Sequence, residues 1–177
     1  MSTLNFIYGT AKSGKTRISR ELECALVDAA DRPETEKLTS IFASFAADEK
    51  NIAIDNAHLM TENEVNCLRE LVDRFNISVY ACGLKTDTKT FLFEGSKRLL
   101  EVADIITETA SDCSCGTKAV FNLQVNSNGK IMLYEKTVDP EANYIGVCSK
   151  CYKKLIENTI KEDNKILVRE LQDECGI

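Results

Sequence analysis

Apolar residues in the first part of the chain change from a short continuous run to a helical spacing. Residues 4–8 form a mostly apolar run that ends at Gly9, which indicates a buried strand followed by a loop. A helix is predicted after the loop because apolar residues recur there every four positions, at Ile18, Leu22 and Leu26. The segment is therefore predicted to be a strand, a loop and a helix.

The same order of elements returns in the middle of the chain. Residues 51–54 are predicted to form a second strand, which ends at Asp55. Thr61 and Glu64 have the spacing of a capping box at the start of a helix. The apolar face of that helix consists of Val65, Leu68, Val72 and Phe75. A further strand is predicted at 77–82, and strands that alternate with helices favour an α/β fold in which helices flank a parallel sheet.

The pattern changes after Ala110, where two cysteine pairs enclose alternating residues. Apolar residues alternate across 121–125, and Asn128-Gly129 separates them from a second run at 131–134, which predicts a β-hairpin. Helical spacing returns beyond the second cysteine pair, at Leu155, Ile156, Ile160, Leu167 and Leu171. We therefore predict a first domain at 1–110, a small β-ribbon domain at 111–156 and a C-terminal helix at 157–177.

Composition excludes several classes of function. The 177 residues carry a formal charge of -6, and the pI is near 5.0, so the chain lacks the basic surplus that sequence-independent nucleic-acid binding requires. The first residues do not resemble a secretory signal, and nowhere do 18 apolar residues follow one another. These features predict a soluble cytoplasmic protein that binds neither nucleic acid nor membrane.

A phosphate-binding motif lies between the first predicted strand and helix. The motif G-x-x-x-x-G-K-[ST] is matched in full by Gly9, Thr10, Ala11, Lys12, Ser13, Gly14, Lys15 and Thr16. In such a loop backbone N–H groups surround the phosphates of ATP, the lysine contacts the β- and γ-phosphates, and the hydroxyl binds Mg²⁺. The alternative is a glycine-rich turn that matches by chance.

Asp55 is placed to complete the magnesium site. Parallel strands direct their C-terminal residues toward the ligand crevice, where a carboxylate holds the Mg²⁺ shell. The alternative for Asp55 is a helix or turn cap.

Four of the eight cysteines form two close pairs, which suits one structural Zn²⁺ with four thiolate ligands. The predicted ligands are Cys113, Cys115, Cys148 and Cys151, and the alternative is four thiols without a metal. The remaining cysteines are predicted to pack as small apolar residues or to lie free at the surface: Cys24, Cys67, Cys82 and Cys175.

The order of these motifs resembles the type II thymidine kinases. The resemblance rests on Asp55, the segments 83–87 and 92–97, Ala103-Asp104 and the two cysteine pairs. It implies a RecA-like sheet with a zinc-binding lasso domain, a tetramer, and transfer of the γ-phosphate of ATP to the 5′-hydroxyl of thymidine. It also implies that Phe93 lines the thymine pocket, that Tyr144 lies beside the nucleoside, and that backbone groups at 137–143 bind the base.

Several residues depart from the family pattern. Asn56 stands where the family has the glutamate that acts as general base, and His58 is the nearest alternative base. Thr88, which the resemblance implies is a substrate-binding residue, stands in place of an aromatic residue, and Lys85 stands in place of an arginine. The segment between Thr16 and Asp55 is short, which predicts the loss of one strand.

Three hypotheses follow from these observations. The first is a thymidine or related deoxynucleoside kinase, which would serve deoxynucleoside salvage and DNA synthesis. The second is a catalytically impaired relative that binds nucleotides in a sensing or regulatory role. The third is an unrelated P-loop NTPase with a zinc module that mediates interactions.

Overall fold

A computed structural model of the chain describes residues 1–22, 24–30, 50–133 and 143–175. Side chains are described as far as residue 164. Among these residues, no helix combines the length and apolar composition needed to cross a membrane.

A parallel five-stranded sheet forms the centre of the fold. Its strands are β1 (Leu4–Gly9), β2 (Ala25–Asp28), β3 (Asn51–Asp55), β4 (Ser78–Leu84) and β5 (Ile105–Thr109). They lie in the order β2-β3-β4-β1-β5, and every neighbouring pair is parallel. The C-terminal ends of β1, β4 and β3 therefore meet side by side at one edge of the sheet.

In the described part of the chain, three α-helices flank the sheet: α1 (Lys15–Glu21), α2 (Glu62–Phe75) and α3 (Glu94–Val102). Helix α1 contacts β1, β3 and β4, whereas α2 and α3 pack on each other and on β1. The predicted capping box is confirmed, because the Glu64 backbone N–H donates to the Thr61 hydroxyl and the Thr61 N–H donates to the Glu64 carboxylate. The α/β class predicted from the sequence is thus confirmed.

A smaller unit follows the sheet. Strands β6 (Phe121–Val125) and β7 (Asn143–Val147) form an antiparallel ribbon, and helix α4 (Ser149–Cys175) follows it. We call residues 111–133 together with 143–156 the ribbon unit. Its small core consists of Cys113, Leu123, Ile131, Val147 and Cys148.

One prediction about the N-terminal segment is wrong. Leu26 does not extend the first helix, because α1 ends at Glu21 and Leu26 lies in strand β2. A spacing of four residues equals two periods of a strand, so the distance from Leu22 to Leu26 is compatible with either structure. Strand β2 lies between Thr16 and Asp55, but residues 31–49 of that segment lie outside the described residues, so the loss of a strand there stays a prediction.

The predicted hairpin is only partly correct. Residues 126–130 do form a turn, in which the Asn126 N–H donates to the Lys130 carbonyl and Gly129 has a φ of +77°. Beyond the turn, Ile131 makes one isolated bridge with Val125 instead of a strand. The strand that pairs with β6 is β7, which is distant in sequence, and it lies on the edge of β6 opposite to Ile131 because Val125 bridges both Ile131 and Asn143.

Leu68 and Phe75 lie on the same helix but differ in their contribution to stability. Leu68 is completely buried in the main core, whereas Phe75, predicted to share its apolar face, is 55% exposed at the end of α2. We expect Leu68→Ala to lower the free energy of unfolding by about 2 to 5 kcal/mol, since it leaves a cavity. Phe75→Ala is the matched control, for which we expect a loss below about 1 kcal/mol. Urea denaturation of both variants would test this, and equal losses would contradict it.

Candidate functional site

The phosphate-binding motif forms a tight loop between β1 and α1. Gly14 and Lys12 have positive φ angles, of +89° and +61°. At Gly9 the loop passes so close to β5 that a Cβ atom would lie 2.3 Å from the Thr109 hydroxyl oxygen. These positions explain why the loop needs glycine where the motif has it.

Lys15 points back into this loop from the first turn of α1. Its ammonium group donates to the Thr10 carbonyl at 2.7 Å and to the Ser13 hydroxyl at 3.1 Å. The side chain is buried, and burial lowers the pKa of Lys15 to about 8, although the negative charge of Asp55 partly opposes this. A buried cation whose hydrogen-bond acceptors among the described residues are two neutral oxygens is well suited to receive an anion.

The ends of β2 and β3 bring two carboxylates together beside the loop. Asp28 and Asp55 are paired in register, and both strands end there. Asn56 lies between them: its backbone N–H donates to the Asp55 carboxylate at 3.0 Å, and its side-chain amide donates to the Asp28 carboxylate at 2.9 Å. Asp28 was missed by the sequence analysis because the helix predicted through Leu26 concealed the strand that carries it.

His58 is a poor candidate for a general base. The side chain is buried beside Phe93, with ring centroids 4.6 Å apart at an edge-to-face angle of 70°. Burial, together with the nearby Lys15 charge, lowers the pKa of His58 to about 3. A group this weakly basic is a poor acceptor for the proton of a hydroxyl group near neutral pH.

One cavity connects these groups. It is lined by residues from the phosphate loop, the ends of β3 and β4, the turn after β3 and strand β7: Ala11, Lys12, Lys15, Thr16, Ala30, Asp55, Asn56, His58, Leu59, Gly83, Leu84 and Tyr144. Most of the residues predicted to bind phosphate or magnesium therefore lie together with Tyr144, which the ribbon unit contributes.

The other residues predicted to bind substrate lie in different places. Phe93 stands behind His58, which lines the cavity. Thr88 lies near Tyr152, whose hydroxyl donates to the Thr88 carbonyl at 2.7 Å, and it borders a separate apolar groove. Of the backbone segment predicted to bind the base, residues 137–142 lie outside the described residues, and Asn143 begins β7.

The four paired cysteines form a cluster at the edge of the ribbon unit. The sulfur atoms of Cys113, Cys115, Cys148 and Cys151 all lie within 4.8 Å of one another, and those of Cys115 and Cys148 are 3.6 Å apart. Four sulfurs around one tetrahedral zinc ion are roughly 3.8 Å apart when each lies about 2.3 Å from the metal. The cluster therefore has the donor set and the spacing to hold zinc.

Hydrogen bonds distribute charge unevenly within this cluster. The Thr117 hydroxyl and backbone N–H lower the pKa of the Cys115 thiol to about 6. In the opposite direction, the neighbouring sulfurs raise the pKa of the Cys151 thiol to about 12. A metal ion at this site would bind all four sulfurs as thiolates.

The chain is similar to known proteins over much of its length. A family model described as thymidine kinase matches residues 23–152, which include Asp55 and all four paired cysteines but begin after the phosphate loop. Curated relatives named "Thymidine kinase" include that of Zymomonas mobilis subsp. mobilis, which is 41% identical over 99 residues, or 55% of this chain and 51% of the relative.

Two further curated relatives are also named "Thymidine kinase". The protein of Pasteurella multocida is 39% identical over 107 residues, which cover 59% of this chain and 56% of the relative. The protein of Legionella pneumophila (strain Paris) is 36% identical over 105 residues, which cover 58% of this chain and 50% of the relative. The chain spans about half the length of these curated relatives. Because the family model matches well over half of the chain, the protein belongs to the thymidine kinase family.

Proposed function

We propose that this protein is an ATP-dependent nucleoside kinase that transfers the γ-phosphate of ATP to the 5′-hydroxyl of thymidine. The proposal is carried by one observation: Lys15 and Thr16 of the phosphate loop and Asp55 of β3 line the same cavity as Tyr144. Anion-binding and cation-binding groups thus face a ring that can contact a nucleoside. Family membership supports this function and removes the hypothesis of an unrelated NTPase.

The phosphate loop supplies the binding site for ATP in this proposal. Loop N–H groups and the Lys15 ammonium would bind the phosphates, and the buried position of Lys15 strengthens its attraction to an anion. The Thr16 hydroxyl and the Asp55 carboxylate are oxygen donors of the kind that Mg²⁺ prefers. Bound Mg²⁺ would neutralise charge on the phosphates during transfer.

The remaining assignments belong to the same proposal. Tyr144 would lie beside the nucleoside, Phe93 would support the base through His58, and Thr88 would lie at the margin of the site. We propose a structural Zn²⁺ at the four paired cysteines, the division into domains at 1–110, 111–156 and 157–177, and a homotetramer. The expected location is the cytoplasm, which suits the absence of a disulfide among the seven cysteines whose side chains the structure describes.

A second candidate function is ATP binding with little or no phosphoryl transfer, in a sensing or regulatory role. It is favoured by Asn56, whose amide cannot accept the hydroxyl proton and is held by Asp28. General-base assistance is typically worth about 10²- to 10⁴-fold in rate. A nucleoside panel with Mg·ATP and zinc-loaded protein separates the two functions: thymidine monophosphate formation supports the kinase, and calorimetric ATP binding without turnover supports the second function.

Restoring a glutamate at position 56 should recover little activity by itself. In Asn56→Glu the new carboxylate would face Asp28, and two carboxylates at hydrogen-bond distance retain a shared proton. We expect a gain in kcat below about tenfold for this variant. In the double variant Asp28→Asn with Asn56→Glu, the amide at position 28 would donate to the carboxylate at position 56. That carboxylate would then be ionised and able to act as a base, so we expect a gain in kcat of about 10²-fold or more. Asp28→Asn alone is the control, and full recovery by Asn56→Glu alone would contradict the expectation.

A further inference from the structure

We infer that Asn122, a residue of the ribbon unit, is a positioning residue for the phosphate loop. Its side-chain oxygen accepts a hydrogen bond from the Ala11 backbone N–H at 2.8 Å, and its side-chain nitrogen donates to the Thr86 carbonyl at 3.2 Å. Both partners belong to the nucleotide-binding part of the chain. The inference rests on the proposed ATP site and adds a residue that controls its geometry.

Asn122 is buried, so its polar side chain depends on these hydrogen bonds. Only 1% of the residue is exposed, and a buried amide costs free energy unless its donors and acceptor are satisfied. The neighbours on β6 alternate as expected for a ribbon, and Leu123 faces the apolar core of the ribbon unit. Asn122 faces the other way, toward the phosphate loop and the segment after β4.

The contact acts on one peptide group. The Thr10 carbonyl accepts from the Lys15 ammonium at 2.7 Å, and the Ala11 N–H belongs to the same peptide unit as that carbonyl. Asn122 and Lys15 therefore hold opposite ends of one planar group. Rotation of this group would break the Asn122 bond and turn the carbonyl away from Lys15. The side chain of Asn122 thereby sets the orientation of the peptide on which the lysine rests.

A second hydrogen bond crosses the same interface and provides a control. The hydroxyl groups of Thr10 and Ser111 are 2.5 Å apart, so this contact also joins the loop to the ribbon unit. It involves only side chains, however, and does not restrain the peptide between Thr10 and Ala11. Ser111→Ala removes one interface hydrogen bond without releasing that peptide.

Asn122→Leu tests the inference because leucine has a similar size but neither hydrogen-bonding group. We expect the variant to retain its zinc content and to bind ATP about tenfold more weakly, in keeping with the loss of a buried hydrogen bond. Hydrogen exchange at the Ala11 amide should become at least about tenfold faster. Ser111→Ala should change ATP affinity less than about threefold. ATP affinity in Asn122→Leu equal to the wild type, or an equal loss in Ser111→Ala, would overturn the inference.

A measurement on the unmodified protein covers the case in which Asn122→Leu does not fold. Removal of zinc by a chelator should accelerate exchange at Ala11 while the amide of Val79, in the centre of the sheet, stays protected. Unchanged protection at Ala11 in zinc-free protein whose ribbon unit has lost its own amide protection would contradict the coupling. These readouts require no nucleoside, so failure of phosphoryl transfer to thymidine would refute the proposed kinase and leave the role of Asn122 standing.

Discussion

Replacing Lys15 by methionine should weaken ATP binding by about 10- to 100-fold, since it removes a charge-assisted contact in a buried site. Any phosphoryl transfer should fall by a further factor of about 10²- to 10³-fold, because the charge that develops on the phosphates loses its partner. Methionine nearly matches lysine in length, and burial already disfavours the ammonium, so the thermal stability should be retained. Calorimetry with Mg·ATP measures the first effect directly.

Lys97→Met is the charge-matched control for this experiment. Lys97 is an exposed residue of α3, so its replacement changes the net charge by the same amount without touching the cavity. We expect its ATP affinity to equal that of the wild type. If Lys15→Met bound ATP as tightly as Lys97→Met, the assignment of residues 9–16 as the phosphate site would be wrong.

The dependence of ATP affinity on pH offers an independent check on Lys15. Burial lowers the pKa of Lys15 to about 8, so the free protein loses this positive charge as the pH rises through 8. Bound phosphates stabilise the charged form, and binding above that pH must therefore take up a proton. The affinity should fall above pH 8 by a factor that approaches about tenfold per pH unit. In Lys15→Met this decline should be absent.

The elements that the sequence predicted correctly are those with strong local signals. Helix α2 has a capping box and a continuous apolar face through Val72, and strand β4 is a long apolar run, so each could be located within a few residues. Strand β2 has only four residues, and Leu26 is 43% exposed at the edge of the sheet. Its identity depends on pairing with β3, which is a contact between distant residues. Local spacing contains no information about such a contact.

The same distinction applies to the site. The phosphate loop and the cysteine cluster are local motifs, and their residues are brought together as their spacing predicted. Asp28 and Asn122 have no motif of their own. The first depends on the register of β2 against β3, and the second on how the ribbon unit docks against the loop. The sequence could therefore identify the ligands that each motif supplies but not the residues that hold those motifs in place.

The ribbon unit should depend on its cysteines far more than the sheet does. Among the residues that the structure describes, its core contains five buried residues, two of which are the predicted zinc ligands Cys113 and Cys148. The main core has sixteen buried residues in the described parts of the sheet, its helices and their connections. A core as small as that of the ribbon unit rarely supports a stable fold without a metal or a covalent link. Zinc at the four sulfurs would join the segment before β6 to the start of α4.

Cys148→Ser should therefore unfold the ribbon unit and leave the sheet intact. A structural zinc site contributes on the order of 10 kcal/mol to folding in small zinc domains, and serine is a poor ligand in a four-sulfur site. We expect the variant to lose bound zinc and to be cleaved rapidly by protease within residues 111–156, while amide protection in β1 and β4 persists. Cys67→Ser, a change outside the cluster on helix α2, should retain one zinc per chain and resist cleavage. A ribbon unit that stays protected in zinc-free Cys148→Ser would contradict this expectation, because apolar packing alone would then hold the unit together.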